Sequence, residues 1–346
     1  MRKRVINILI FTILGSASFS QTGGDNVYEF LNLTHSGLVS SLGGSNVSLN
    51  INNLNLAYHN PALLNAKMDK TLALSYADYF AGINYGLVMY SGSFGVAGNL
   101  AAGICYLNYG SFTEADASGT ITGRFTASEY AFPVLYSREI DSMFMIGVNF
   151  KPVISHLERY TSLGFGLDIG AAWHSSSNLL SAGIVIRNIG YQITTYAGEP
   201  RQKLPFEVQA GFSAKPAHAP FRFSLTLRHL EKFDLTHLYN EPAADDDQNS
   251  RQSDLFENIM RHIIIGTELI PHRNFYFSAG YNYQRRRELQ IESKVSTVGF
   301  SWGFGINTSV LNIEFGRAAY HLAGSSNHIS LIARPDLLYK RLRNEN

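Results

Sequence analysis

Residues 60–77 read NPALLNAKMDKTLALSYA and contain the point at which the chain changes character. Up to Asp69 the sequence carries turn and cap signals, whereas a period of two begins at Lys70. Large and small residues alternate there, with Leu72, Leu74 and Tyr76 on one side and Ala73, Ser75 and Ala77 on the other. This spacing predicts a β-strand with one bulky and one small face.

The same period recurs to the end of the chain. About fourteen segments carry it: 70–77, 83–91, 94–108, 124–137, 143–152, 163–173, 180–187, 205–212, 221–228, 261–269, 274–283, 295–306, 309–316 and 327–333. Several have the roughly 9–11 residues that a tilted strand needs to cross a membrane.

The connections between these segments alternate in length, except that 79–82 is short where a longer outer loop is due. The short ones are 92–93, 139–142, 174–178, 214–220, 270–273 and 307–308; the longer ones are 109–123, 153–162, 188–204, 229–260, 284–294 and 317–326. Short periplasmic turns and longer outer loops are typical of bacterial outer-membrane barrels. Only 16% of the residues are charged and 12% are aromatic, which favours apolar surroundings. We therefore predict an all-β fold, a transmembrane antiparallel β-barrel of about fourteen strands over residues 70–334.

The two ends of the chain have other roles. Three basic residues, an apolar run and the small residues Ser18 and Ser20 before Gln21 predict a cleaved signal peptide over residues 1–20, hence export to the bacterial outer membrane. Residues 335–346 form a basic tail. The balance of 28 basic and 27 acidic residues argues against a nucleic-acid partner, and the lone Cys105 excludes an internal disulfide.

Residues 21–69 are predicted to form an N-terminal plug inside the barrel. Gly43 and Gly44 permit a turn with positive φ, and Asn60, Pro61 and Ala62 predict a capped helical turn. The first strand begins at the periplasmic end if the loops alternate as described. We therefore expect the plug to enter the lumen from that end and to close it.

Signals of catalysis or of a bound cofactor are missing from the sequence. There is no zinc-binding HExxH pair, no GxSxG nucleophile turn and no phosphate-binding glycine loop. An acidic run at 245–247 suggests a calcium loop, but Ser250 replaces the required glycine and Phe256 the required glutamate. The sequence predicts neither an enzyme, nor a metal site, nor a cofactor.

Two outer loops carry candidate contact residues. A short amphipathic helix near the end of the longest loop is a hypothetical docking site for a partner protein; folding over the barrel mouth is the alternative. Its apolar residues are Leu255, Phe256, Ile259 and Met260. Arg285, Arg286 and Arg287 could pair with lipopolysaccharide phosphates, with ordinary rim charge as the alternative.

Several motifs resemble a known superfamily. Leu42-Gly43-Gly44 and the Asn60-Pro61-Ala62 turn resemble the N-terminal region of FadL-like outer-membrane barrels. Later segments resemble the type IX secretion members of that superfamily, most closely the PorQ group and then the PorV group: 125–131, 147–151, 168–171, 186–190, 204–206, 218–222, 280–282 and 285–287.

This resemblance implies a non-enzymatic barrel of the type IX secretion system that organises a surface attachment complex. Its implied partners are a PorZ-like surface protein, a sortase and a PorV-like barrel, besides membrane lipid and lipopolysaccharide. The alternative function is FadL-like transport of hydrophobic small molecules.

Overall fold

The computed structural model describes residues 26–79, 82–235, 248–289, 297–321, 324–337 and Tyr339. The predicted signal peptide, the acidic run at 245–247 and most of the basic tail lie outside these residues. The strands are β1 (Thr71–Asp78), β2 (Asn84–Ser93), β3 (Asn99–Ala115), β4 (Ile121–Ala131), β5 (Val134–Glu139), β6 (Phe144–Leu157), β7 (Tyr160–His174), β8 (Leu180–Thr194), β9 (Glu207–Ala214), β10 (Phe221–Leu227), β11 (Ile263–His272), β12 (Phe275–Asn282), β13 (Phe300–Asn307), β14 (Leu311–His321) and β15 (Gly324–Ala333).

The strands form one closed antiparallel barrel. β1 pairs with β2 on one side and with β15 on the other, which closes the sheet. β4 and β5 both lie between β3 and β6 and make up one barrel strand, interrupted at Phe132 and Pro133. Proline has no N–H to donate to the ladder, which accounts for the break. The predicted barrel of fourteen strands is confirmed, and each predicted segment overlaps one strand.

The two faces of the wall differ as the sequence predicts. In β1, Leu74 and Tyr76 are exposed on the outer face, whereas Ala73 and Ala77 are fully buried on the inner one. On the outer face of β13, Phe300 and Trp302 are likewise exposed. An apolar outside with small or polar residues inside is the pattern of a barrel in lipid.

The wall is much taller on one side than on the other. We call the end that carries the start of β1 and the end of β15 the inner end, and the opposite end the outer end. β3, β6, β7 and β8 have 17, 14, 15 and 15 residues, whereas β9, β10, β12 and β13 have 8, 7, 8 and 8. A rise of about 3.3 Å per residue and a tilt of about 40° give heights of roughly 35–43 Å and 18–20 Å.

Several predicted connections are wrong in their bounds, and residues 188–194 and 317–321, predicted as loop, belong to β8 and β14. Residues 109–123 and 153–162 are mostly strand, with tight turns at 116–120 and 158–159. A bulge between Asn108 and Ser111 shifts the period of two, which hides the extension of β3 in the sequence. Residues 94–98, predicted as strand, form the turn between β2 and β3, and the predicted loop at 284 begins instead as a helix, Tyr283–Leu289.

Residues 26–70, named here the lumenal segment, lie between inward faces of opposite walls. They contain α1 (Gly37–Ser41), α2 (Leu54–His59) and 3₁₀ helices at Glu29–Asn32, Pro61–Leu63 and Ala66–Met68. Every residue from 34 to 49 and from 53 to 65 is buried. Two further helices, α3 (Gln248–Arg261) and α4 (Tyr283–Leu289), stand at the outer end. No helix in the described ranges is long and apolar enough to cross a membrane.

The lumenal segment begins at the outer end, which contradicts the expected entry from the periplasmic end. Val27 donates its backbone N–H to the carbonyl of Lys203, in the outer connection between β8 and β9. Tyr28 packs against Gly164, near the outer end of β7. The segment therefore crosses the lumen before β1 starts at the inner end.

Candidate functional site

The lumen is the candidate site, and α1 fastens the lumenal segment to strands β14 and β15 of its wall. The backbone N–H of Gly37 donates to Ser330 Oγ at 3.0 Å, and that of Leu38 donates to Glu314 Oε2 at 3.3 Å. Glu314 also accepts from Asn53 Nδ2 at 2.5 Å. Three hydrogen bonds thus tie the segment to the neighbouring strands β14 and β15.

The turn after α1 packs closely against the barrel wall, because the glycines at this contact have no side chains. Gly43 and Gly44 have φ of 103° and 98°, as the sequence predicts for a turn with positive φ. A Cβ on Gly280 of β12 would overlap the backbone of Leu42 and Gly43. Backbone therefore meets backbone at this contact.

The Asn60–Ala62 turn is fastened to the opposite wall. Asn60 accepts from the N–H of Ala62 at 3.1 Å, which caps the 3₁₀ helix Pro61–Leu63, as the sequence predicts. Its amide also donates to the carbonyls of Val47 and Ala171. A Cβ on the paired Gly147 or Gly170 would overlap Pro61 or Asn60.

Buried charges surround the first turns of the lumenal segment. Lys151 Nζ lies 2.7 Å from Asp168, and both side chains are fully buried. Arg187, also buried, donates to the carbonyl of Leu31 at 2.9 Å. Charges at inward strand positions cannot keep their water, so each must find a partner inside the protein.

Sequence reasoning missed these groups and Glu314. Their only signal is a charged residue on the small, inward side of a strand period. That signal identifies a lumen-facing residue but not its partner, because the partner lies on another strand or in the lumenal segment.

The lone cysteine contacts a histidine of the lumenal segment. Cys105 Sγ lies 3.1 Å from His35 Nε2, and the histidine ring stands edge-on to Tyr58 with ring centroids 5.0 Å apart. All three residues are buried. A thiol beside an imidazole can serve as a nucleophile, but this pair is enclosed by protein.

The predicted docking helix has an exposed apolar face. Leu255, Phe256 and Ile259 of α3 have 51%, 66% and 53% of their surfaces exposed, whereas Met260 is half-buried. On the other face of α3, the buried Asn258 donates to the carbonyl of Phe233 and accepts from the N–H of Leu235. The helix is therefore held against residues 233–235, and its apolar residues point away from them.

The three arginines do not act as one group, which corrects the prediction for Arg285. Its side chain is 8% exposed, donates to the carbonyl of Gly43 at 3.2 Å and lies over the ring of Tyr320 at 4.1 Å. The guanidinium of Arg285 faces the lumenal segment, and a buried guanidinium needs the hydrogen-bond acceptors that this segment provides. Arg286 donates to the carbonyl of Val298, and Arg287 pairs with Glu257 at 2.8 Å.

Glu257 joins the two outer helices. Besides Arg287 of α4 it pairs with Arg261 of α3, also at 2.8 Å. Hydrogen bonds, first from Arg287 and then from Arg261, lower the pKa of the Glu257 carboxyl. The ion pair therefore depends on an ionised carboxylate.

The described residues contain no cluster of three or more metal-ligating side chains. A polar cavity of 350 Å³ lies at the outer tip of the tall wall, between Ser111, Arg124 and Glu158. An apolar groove of 390 Å³ lies along β5–β8, lined by Ile146, Ile169 and Ile184 on the lipid-facing side. Neither cavity opens a path through the lumen.

Comparison with known proteins defines the class of fold. No family model matches the chain, and no curated protein matches it. The Ralstonia pickettii toluene transporter TbuX is similar in structure, with a TM-score of 0.53 and 11% identity over 87% of this chain and 97% of TbuX. The Pseudomonas putida toluene transporter TodX has a TM-score of 0.51 and 10% identity over 87% of this chain and 96% of TodX. A Pseudomonas aeruginosa FadL homologue has a TM-score of 0.49 and 10% identity over 90% of this chain and 99% of the homologue.

The fold is a closed antiparallel outer-membrane β-barrel, similar in structure to TbuX and TodX. Such a fold implies a bacterial outer-membrane location, and the similar proteins are transporters rather than enzymes. At identities of 10–11% the likeness concerns the fold alone.

Proposed function

We propose that the chain is a closed outer-membrane barrel of the PorQ type, which organises a type IX secretion attachment complex at the cell surface. The observation that carries the proposal is the occupied lumen. The lumenal segment is buried along most of its length and hydrogen-bonded to opposite walls. A barrel filled in this way acts through its outer surface, not through an open pore.

The tall wall supplies such a surface. β3, β6, β7 and β8 exceed the apolar band of about 25 Å by roughly 10 Å or more. Outward apolar residues continue into this excess, among them Ile154 on β6 and Tyr191 and Ile193 on β8, all exposed. An apolar face above the membrane suits a protein partner such as the PorZ-like protein that the sequence resemblance implies.

Transport of hydrophobic small molecules is the second candidate, and the comparisons support it better than the first. TbuX and TodX are toluene transporters. In this chain the apolar groove on β5–β8 is lined by Gly147 and Gly170, and the Asn60–Pro61 turn lies directly behind these glycines. A hydrophobic molecule in the groove would reach the lumen only if the β6–β7 ladder opened and that turn moved.

One pair of experiments separates the candidates. Native outer membranes are solubilised mildly and the tagged barrel is purified, while the same protein is reconstituted alone in liposomes with toluene uptake as the readout. Surface proteins that co-purify, with no uptake above empty liposomes, support the attachment role. Uptake that is abolished by Gly170→Val, which would crowd Asn60, supports transport and contradicts the first proposal.

The surface contacts have tests of their own. Substituting Arg286 and Arg287 by Gln should weaken co-purification of lipopolysaccharide if these guanidiniums bind its phosphates, whereas Arg285→Gln should act through the lumenal segment instead. Equal lipopolysaccharide content in all variants would contradict the contact.

A further inference from the structure

The short side of the wall does not reach across the membrane by its strands. β9, β10, β12 and β13 have 7 or 8 residues each, a height of about 18–20 Å at the usual rise and tilt. The apolar band of an outer-membrane barrel is about 25 Å tall. Short turns join these strands at the inner end, so the missing 5–7 Å or so lie at the outer end.

The two outer helices stand where this height is missing. α3 ends at Arg261, just before β11, and α4 begins at Tyr283, just after β12. The last turn of α3 lies on the strand ends, because His262 donates its N–H to Ile259 O and accepts from the N–H of Arg228 at the end of β10. An α-helix with its side chains is about 10 Å across, enough to fill the gap.

The exposed side chains at this level resemble the lipid-facing belt below them. Phe233 is 73% exposed and Phe256 66%, against 53% for Phe300 and 48% for Phe223 in the belt. The opposite face of α3 is polar and buried, with Asn258 at 6% exposure. The helix is thus oriented by its hydrogen bonds with its apolar face away from the barrel.

We propose that the apolar face of α3, together with Phe233, enters the acyl-chain region of the outer leaflet and completes the lipid-facing belt above β10–β13. The occupant of this face is lipid, because the face continues a belt that is itself in contact with lipid. The proposal rests on the outer-membrane fold and on neither candidate function.

The proposal can be tested with a spin label on the full chain. Phe256→Cys is labelled with a nitroxide in the folded protein and reconstituted in phosphatidylcholine vesicles. Cys105 is fully buried. The protein without the Phe256→Cys substitution serves as the control and measures any labelling of Cys105. Collision rates with oxygen, which partitions into lipid, and with a water-soluble nickel chelate give the depth of the label.

Two further positions calibrate the measurement. Phe300→Cys reports the belt, and Ile121→Cys, at a position 71% exposed at the outer tip of the tall wall, reports water. We expect the ratio of oxygen to nickel collisions at 256 to lie within about threefold of the ratio at 300 and at least tenfold above that at 121. Ile259→Cys, on the same face, provides a second readout should the first variant fold poorly.

A ratio at 256 and 259 like that at 121 overturns the proposal. A label that is freely accessible in vesicles but shielded from both reagents in native outer membranes also overturns it, and identifies a protein partner as the occupant.

Discussion

Glu314 of β14 holds the lumenal segment against the wall, and its removal should loosen that segment. The carboxylate is 2% exposed and accepts from Leu38 N, from Asn53 Nδ2 and, at 3.4 Å, from Ser36 Oγ. Glu314→Ala leaves these donors without an acceptor inside the protein. Leaving a buried donor without its acceptor costs about 1–3 kcal/mol, and two of the three hydrogen bonds are long, so we expect a loss of about 3–5 kcal/mol.

Such a loss is measurable as local opening. At about 1.4 kcal/mol per tenfold change, the population of the opened segment should rise at least about 100-fold. Ser40→Cys provides the probe, because Ser40 lies in α1, is 1% exposed and has a hydroxyl with no hydrogen-bond partner among the described residues. The labelling rate with a membrane-impermeant thiol reagent then reports the opening.

The controls decide between anchoring and general damage. Glu314→Gln keeps the shape and one carbonyl acceptor, so the rate should rise by about tenfold or less. The protein without Ser40→Cys measures labelling of Cys105. If Glu314→Ala leaves the labelling rate at position 40 unchanged in a barrel that stays heat-modifiable on gels, the reasoning about this anchor is refuted.

Three other changes test the contacts around the lumen. Gly170→Val should destabilise the barrel by about 1–3 kcal/mol or more through overpacking against Asn60, whereas Ala171→Val, on the lipid face, should be tolerated; equal unfolding midpoints in urea would contradict the close contact. Lys151→Met leaves the buried Asp168 without its cation and should cost about 3–5 kcal/mol; adding Asp168→Leu should recover only part of this loss, because Asp168 also accepts from Asn149 and from the N–H of Asn188, and no recovery at all would argue against a pairwise cause. The arginine partners of Glu257 lower the pKa of its carboxyl, so the stability that this carboxylate gives to the α3–α4 contact is complete above the ordinary pKa of 4.5 and is lost as the pH falls through the lowered pKa. Proteolysis of the α3–α4 pair should therefore increase only in that acidic range. An equal increase in the variant Glu257→Gln would exclude the carboxylate as the cause.

The strands could be predicted because their two faces lie in different surroundings. Lipid outside and packed protein inside require opposite side chains at successive positions, and this requirement is local in sequence, as in Leu74 and Ser75. Turn chemistry is local as well, which explains why the positive φ of Gly43 and the cap of Asn60 could be predicted.

Contacts between distant segments could not be predicted in the same way. The acceptor of Arg285 is the carbonyl of Gly43, 242 residues away. Nothing near Arg285 in the sequence distinguishes it from Arg286 and Arg287, so an arginine run at a loop start indicated the outer surface for all three. The outer extension of β3 was missed for a different reason, because the bulge after Asn108 shifts the period that identifies a strand.

The course of the lumenal segment determines the order in which the barrel can assemble. Its first described residues pair with the outer connection at Lys203, and its last lead into β1 at the inner end. A sheet that had already closed between β1 and β15 could admit this segment only by threading its free end through the lumen, which folded chains rarely do. We therefore expect β1 and β15 to pair last, with the wall closing around a segment already in place.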